Sequence, residues 1–128
     1  MEQGNIFGNL PTGPMSHEVF ETLVSAKGLR IERIISTGQT TPEGEWLDQD
    51  RDEWVILLQG GAALQFEGEE SERVMKPGDW FVIPTRQRHR IAWTTSAEPT
   101  VWLAVHYIES TLILQQNPPR ASHSSRLG

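Results

Sequence analysis

The most informative absence in this 128-residue chain is cysteine, of which the sequence has none. Without thiols the chain can form no disulfide bond, no thiolate nucleophile and no cysteine-ligated zinc site. Any metal ion would have to be bound by histidine, carboxylate, amide or water ligands. The sequence also lacks a Gly-x-Ser-x-Gly motif, a phosphate-binding loop and a His-Glu-x-x-His motif. It therefore carries none of these catalytic signatures.

Long hydrophobic runs and basic charge are scarce as well. No apolar stretch approaches the roughly 18 residues that a membrane-spanning helix needs. The first residues show neither the basic flank nor the apolar core of a secretory signal, and we therefore expect a soluble, cytoplasmic protein. The formal net charge is −6, which opposes binding to nucleic acid or to an anionic membrane.

The length of the chain fits one domain with its own hydrophobic core. We expect an N-terminal arm and a short helix at residues 1–28, a body of β-strands at residues 29–116 and a flexible tail at residues 117–128. Ser16 is placed to cap the helix and Gly28 to end it. Beyond the helix, turn signals recur at intervals of roughly eight to twelve residues, which is typical of an all-β sandwich or barrel.

A hairpin is predicted in the middle of the chain. Residues 53–58 form an apolar run headed by Glu53, a Gln-Gly-Gly turn follows, and residues 62–66 form a second run. Because Glu53 directly precedes the apolar run, a buried carboxylate there would need a partner, for which Arg33 and a metal ion are the candidates.

Arg33 is a cation inside the strand predicted for residues 29–36, on the same face as Ile31 and Ile35. If that face points inward, Arg33 needs a carboxylate or an anionic ligand, and a pair with Glu53 would occupy the place of a metal. The alternative is that its guanidinium extends to the mouth of the barrel.

Residues 77–89 end in the histidine with the clearest candidate role. A Pro-Gly turn, a short apolar run with aromatic and β-branched residues and a second proline predict a turn, a buried strand and a loop. His89 follows this strand and is a candidate metal ligand or general base, or alternatively a surface residue. The arginines around it suit a small anionic ligand, or else are simply solvated: Arg86, Arg88 and Arg90.

Two spacings resemble the paired sequence motifs of the cupin family. In the first motif, six residues separate Glu53 from Gly60. In the second, five residues separate Gly78 from Pro84, and four more separate Pro84 from His89. The resemblance implies an all-β fold, a jelly-roll β-barrel that binds a small molecule, commonly as a homodimer.

The resemblance also implies candidate metal ligands, because the glutamate and the second-motif histidine bind a divalent metal in many cupins. The two first-motif histidines are missing; Trp46 and Asp48 take their places in one register, Leu47 and Gln49 in the other. An oxygen-rich set of this kind favours Mn²⁺ or Mg²⁺, although iron, nickel and zinc are also candidates. The candidate metal ligands are His89, Glu53, Asp48 and Gln49.

A metal-free barrel for binding or sensing an anionic or aromatic molecule is the alternative. It would use Arg33, Trp46 and the loop that carries Arg86 and Arg88. His106 lies in a predicted strand with two apolar faces, so the pattern leaves open whether it lines the cavity or packs between strands. The candidate ligand-binding residues are Arg33, Trp46, His106 and Arg86, and the sequence does not decide whether the protein is an enzyme.

Overall fold

The computed structural model describes residues 1–108, which form eight β-strands and no helix. The expected all-β fold is thereby confirmed. The last part of the predicted β-strand body and the predicted tail at residues 117–128 lie outside the described residues. The strands are β1 Val19–Ala26, β2 Leu29–Ser36, β3 Asp52–Gln59, β4 Ala62–Phe66, β5 Arg73–Met75, β6 Trp80–Ile83, β7 His89–Thr94 and β8 Thr100–Tyr107.

The strands form two facing sheets in which every pairing is antiparallel. The larger sheet has the order β1-β2-β8-β3-β6, and the smaller one has the order β5-β4-β7. This is the jelly-roll arrangement that the resemblance implied. In residues 1–108, no helix is long and apolar enough to span a membrane.

The predicted N-terminal helix is wrong, because its residues form strand β1. This strand pairs with β2 in a register that runs from Val19 opposite Ile35 to Ala26 opposite Leu29. Gly28, expected to end a helix, instead has a φ of 75° in the two-residue turn between the strands. Pairing with a long neighbouring strand outweighed the weak helical pattern of a short segment.

The predicted hairpin across residues 53–66 is also wrong. β3 pairs with β6 and β8 in the larger sheet, whereas β4 pairs with β5 and β7 in the smaller one. Both strands bury apolar side chains, and the turn between them carries the chain from one sheet to the other. Gly60, in this turn, has a φ of 91°, a conformation that favours glycine.

The hydrophobic core lies between the two sheets. Leu57, with no exposed surface, and Met75, 1% exposed, are among its most buried side chains, and a leucine buried to this degree contributes about 1.5 to 3 kcal/mol. The alternation of each strand turns one face inward. The buried cluster consists of Val55, Leu57, Ala62, Leu64, Phe66, Met75, Ile83, Trp102 and Ala104.

The N-terminal arm lies across the outer face of β2, where it contacts Arg33. The Arg33 guanidinium donates hydrogen bonds to the backbone carbonyls of Ile6 and Gly8, at 3.0 and 2.7 Å, and forms an ion pair with Glu21 of β1. Arg33 is only 6% exposed. Its partners are therefore supplied by the arm and by β1, and not by Glu53.

Candidate functional site

A cavity of about 360 Å³ lies between the sheets and is the candidate functional site. Side chains from both sheets and from the loop before β3 line it. Its walls are mostly apolar, which is typical of small-molecule sites. The apolar lining consists of Phe20, Ile34, Pro42, Leu47, Val55, Leu64, Ile83, Ile91 and Trp102.

Glu53 brings a buried carboxyl group to this cavity. It is the second residue of β3, lies opposite His106 of β8 and Ile83 of β6, and is 6% exposed. Burial raises the pKa of Glu53, while the nearby imidazoles of His106 and His89 and a hydrogen bond with Gln49 act in the opposite direction. Glu53 is therefore easier to protonate than an ordinary glutamate.

His89 also lines the cavity and is 4% exposed. Its Nδ1 donates a hydrogen bond of 2.9 Å to the carbonyl of Gln87, which leaves Nε2 with the lone pair in the neutral ring. Its backbone forms a two-way bridge with Leu47, with N–O distances of 2.7 and 3.1 Å. These bonds hold the imidazole in place and define its free nitrogen.

His106 lines the cavity too, which settles the question that the sequence left open about its position. Its Nε2 lies 3.0 Å from a carboxylate oxygen of Glu32, and the two residues are 6% and 8% exposed. Arg30 lies 3.5 Å from the other oxygen of Glu32. Sequence reasoning missed Glu32 as a site residue, although alternation in residues 29–36 put it on the face opposite Arg33.

Two registers were considered for the segment before β3, and the structure has the one in which Leu47 and Gln49 face the site. Glu45, Leu47 and Gln49 line the cavity, whereas Trp46 and Asp48 do not. Gln49 makes a side-chain hydrogen bond with Glu53, and its Oε1 is buried without a hydrogen-bond partner. An amide acceptor thus stands where many cupins have a histidine.

The other predicted ligand-binding side chains lie outside the cavity lining. Arg33 is on the outer face of β2 and Trp46 is half-buried outside the lining. Arg86 forms an exposed ion pair with Asp48 at 3.2 Å, and Arg88 pairs with Glu67 at 2.8 Å. Arg86 instead lines a separate, more open surface pocket, together with Arg30, Arg51 and His106.

A second polar group, which the sequence did not reveal, lies further along β2. The Trp102 Nε1 donates a 3.0 Å hydrogen bond to the Ser36 hydroxyl, which in turn donates to the carboxylate of Glu18. Burial raises the pKa of Glu18, and the Ser36 hydrogen bond partly offsets this. Ser36 is four residues from Glu32 on β2, a distance of about 13 Å in an extended strand.

The donor groups at Glu53 do not fit a resident metal ion well. In residues 1–108, no three histidine, aspartate or glutamate side chains come together in an arrangement that could hold one. The imidazole of His106 is bound to Glu32, Asp48 lies outside the cavity lining, and Leu47 offers no donor. What remains is one imidazole, one carboxyl group and one amide oxygen, which is a weak set for a divalent metal.

Several solved structures resemble this chain. A protein from Ralstonia eutropha JMP134, provisionally named a mannose-6-phosphate isomerase, is 49% identical with a TM-score of 0.82; the match covers 84% of this chain and 99% of that one. A cupin superfamily protein from Desulfitobacterium hafniense DCB-2 is 16% identical with a TM-score of 0.65, over 84% and 93% of the two chains.

A DMSP lyase from Ruegeria pomeroyi DSS-3 is 19% identical with a TM-score of 0.61, over 82% of this chain and 54% of that one. No curated protein matches the sequence. The family model of the cupin domain matches residues 34–106, more than half of the chain. This chain therefore belongs to the cupin family.

Proposed function

We propose that the cavity binds a small organic molecule and that Glu53 interacts with the polar end of that molecule. The observation that carries this proposal is the burial of Glu53 at a cavity wall, where it is 6% exposed. In the described part of the chain, no lysine or arginine forms an ion pair with it. A buried carboxyl group without such a partner costs stability and is typical of functional sites.

Glu53 and His89 together provide the groups for proton transfer. The raised pKa of Glu53 lets it hold a proton closer to neutral pH, and the Nε2 of His89 accepts one. Both line the same cavity. The reaction class that suits them is transfer of a proton to or from a bound ligand, without a redox step.

The Ralstonia eutropha relative is provisionally named for a sugar phosphate, mannose 6-phosphate. The lining of the cavity in this chain does not favour such a ligand. Phosphate groups are commonly held by arginine, by lysine or by a helix N-terminus. In residues 1–108 the lining contains no lysine or arginine, and the chain forms no helix there. We therefore do not propose a phosphate ester as the ligand of this cavity.

A divalent metal in the barrel is the second candidate, since the family commonly binds one. The observation in its favour is the buried Oε1 of Gln49, which has no hydrogen-bond partner and lies beside Glu53. Such a metal would be held by Gln49, Glu53 and His89, and it would supply a Lewis acid. We favour the metal-free site because these three groups form a weak set of ligands.

Ligand-observed NMR with a library of small fragments tests the proposal. We expect fragments that bind the wild-type protein and bind Leu47→Trp at least about tenfold more weakly, because an indole would fill the rim of the cavity. Leu47 is 38% exposed, so the larger ring need not overpack the core. Val74→Trp, at a position that is 62% exposed on β5, is the control that should keep binding.

The same screen is repeated after treatment with EDTA, and we expect the same fragments to bind. Fragments that bind both tryptophan variants as well as the wild type would contradict binding in the cavity. Binding that disappears with EDTA and returns with Mn²⁺ would instead favour the metal candidate.

We also propose a homodimer formed through the outer face of the larger sheet. Trp80 and Val82 of β6 are 45% and 51% exposed, and the Trp80 ring lies 6.2 Å from that of Trp54. A contiguous exposed apolar patch of this kind typically marks an interface. The cytoplasmic location expected from the sequence stays a prediction.

Light scattering should show a dimer that Val82→Lys converts to a monomer, because a buried ammonium without a partner is costly at an interface. Val74→Lys introduces the same charge on the smaller sheet and should leave the dimer intact. A monomeric wild-type protein, or a dimer unaffected by Val82→Lys, would contradict the proposed interface.

A further inference from the structure

The cavity is lined by an excess of acidic groups. Its lining includes two histidines, His89 and His106, and no lysine or arginine from residues 1–108. Even with both histidines protonated, the carboxyl groups outnumber the imidazoles. The four carboxyl groups are those of Glu18, Glu32, Glu45 and Glu53.

Only one of these four glutamates forms an ion pair with a basic side chain among the described residues. Glu32 lies 3.0 Å from the imidazole of His106 and 3.5 Å from the guanidinium of Arg30. No arginine or lysine in residues 1–108 forms an ion pair with Glu18, Glu45 or Glu53. A ligand with a negative charge would therefore meet an excess of carboxyl groups and no lysine or arginine in the described lining.

The groups around Glu53 are also short of hydrogen-bond donors. The Oε1 of Gln49 is a buried acceptor without a donor, and the side chain of Gln49 is already bonded to Glu53. The Nδ1 of His89 is used by the carbonyl of Gln87, so its Nε2 is an acceptor in the neutral ring. An amide oxygen, a carboxylate and an imidazole nitrogen are all hydrogen-bond acceptors, so together they favour a ligand that donates hydrogen bonds.

We infer that the ligand is a small amine, bound as its ammonium form by Glu53, Gln49 and His89, with its apolar part against the hydrophobic walls. This inference rests on the proposed binding of a small molecule in the same cavity. An ammonium group has three donors and no acceptor, which matches three acceptors better than an alcohol or an anion does. It also supplies the positive charge that the lining lacks.

The apolar walls define the rest of the ligand. Val55, Leu64 and Trp102 are each at most 4% exposed and line the same cavity as Glu53. The volume of about 360 Å³ is near the lower end of the usual range for small-molecule sites, about 300 to 1,000 Å³. A compact aromatic or branched alkyl amine therefore suits the site better than a polyamine or a nucleotide.

Three probes of similar shape test the inference by NMR titration at pH 8: benzylamine, benzyl alcohol and benzoate. We expect benzylamine to bind at least about tenfold more tightly than benzyl alcohol at pH 8, the effect of one charge-assisted hydrogen bond. Benzoate should not bind measurably.

Two variants, each of which removes one negative charge, distinguish an effect at the site from an effect of the protein's overall charge. Glu53→Gln should weaken benzylamine at least about tenfold and leave benzyl alcohol within about twofold. Glu43→Gln, at an exposed loop position outside the lining, should leave both affinities unchanged. If Glu53→Gln does not fold, Gln49→Leu replaces it, with the same expected loss of preference for the amine.

Each contrary result has a distinct meaning. Benzoate that binds as tightly as benzylamine, or an amine preference that survives Glu53→Gln, would overturn the inference and leave small-molecule binding intact. A wild-type protein that binds library fragments but not benzylamine would do the same. A protein that binds neither these probes nor any library fragment would overturn the proposed function as well.

Discussion

Replacing Gly60 with alanine is expected to destabilise the protein by about 3 to 5 kcal/mol, the sum of a steric clash and backbone strain. A Cβ atom at Gly60 would lie 2.3 Å from the Oγ1 of Thr100 and 2.7 Å from its Cα. Thr100 has no exposed surface and begins β8 at the centre of the larger sheet, so its backbone has no room to move away. The φ of 91° at Gly60 adds strain for any residue with a Cβ.

Gly68→Ala is the matched control for this prediction. Gly68 has a φ of 97°, but nothing lies within 4 Å of the position that its Cβ would occupy. We expect a loss of about 1 to 2 kcal/mol from backbone strain alone. Urea unfolding of both variants measures the difference, and equal losses would show that the close approach to Thr100 does not matter. A small domain has only about 5 to 15 kcal/mol in total, so the alanine at Gly60 would remove a large share of the stability.

Trp102→Ala is expected to cost about 3 to 5 kcal/mol, as is usual when a buried aromatic ring is removed. Trp102 is 3% exposed, belongs to the core cluster and lines the cavity. Its indole therefore packs against the core and also forms part of the cavity wall. Its removal would enlarge the cavity and leave the hydroxyl of Ser36 without its donor. The midpoint of urea unfolding is the measurement.

Trp102→Phe separates packing from hydrogen bonding. A phenyl ring retains much of the packing but cannot donate to Ser36, so we expect a smaller loss of about 1 to 2 kcal/mol. Combining it with Ser36→Ala should recover part of that loss, because residues that share a buried hydrogen bond are coupled by about 0.5 to 3 kcal/mol. Additive losses would contradict an energetic link between Trp102 and Ser36.

Strand β6 was readable from local residues because its signals agree. A Pro-Gly turn, an apolar run and a second proline predicted a buried strand, and the structure has β6 at Trp80–Ile83. The predicted burial is wrong, because β6 is an edge strand of the larger sheet that exposes Trp80 and Val82. The residues of the first strand carried a conflicting signal. A few apolar side chains there matched a short helix, and only pairing with β2 made them a strand.

The residues of the site likewise divide into those that the sequence indicated and those that it did not. The motif spacing pointed to Glu53 and His89, and both line the cavity. Glu18 and Glu45 gave no signal of their own, because an isolated glutamate in a loop or at a strand end is usually solvated. They line the cavity only because the arrangement of the two sheets brings β1 and the loop before β3 to the same place.

The sequence by itself determined the all-β class, the absence of thiol chemistry and the two residues that the motifs position, because turn residues, alternation and composition act locally. Only the tertiary structure decided which charges face the cavity. Arg33 is turned away from it and paired with Glu21, while Glu32 of the same strand faces inward. Neighbouring residues of a strand point to opposite faces, so the sheet that covers each face sets the electrostatic character of the site.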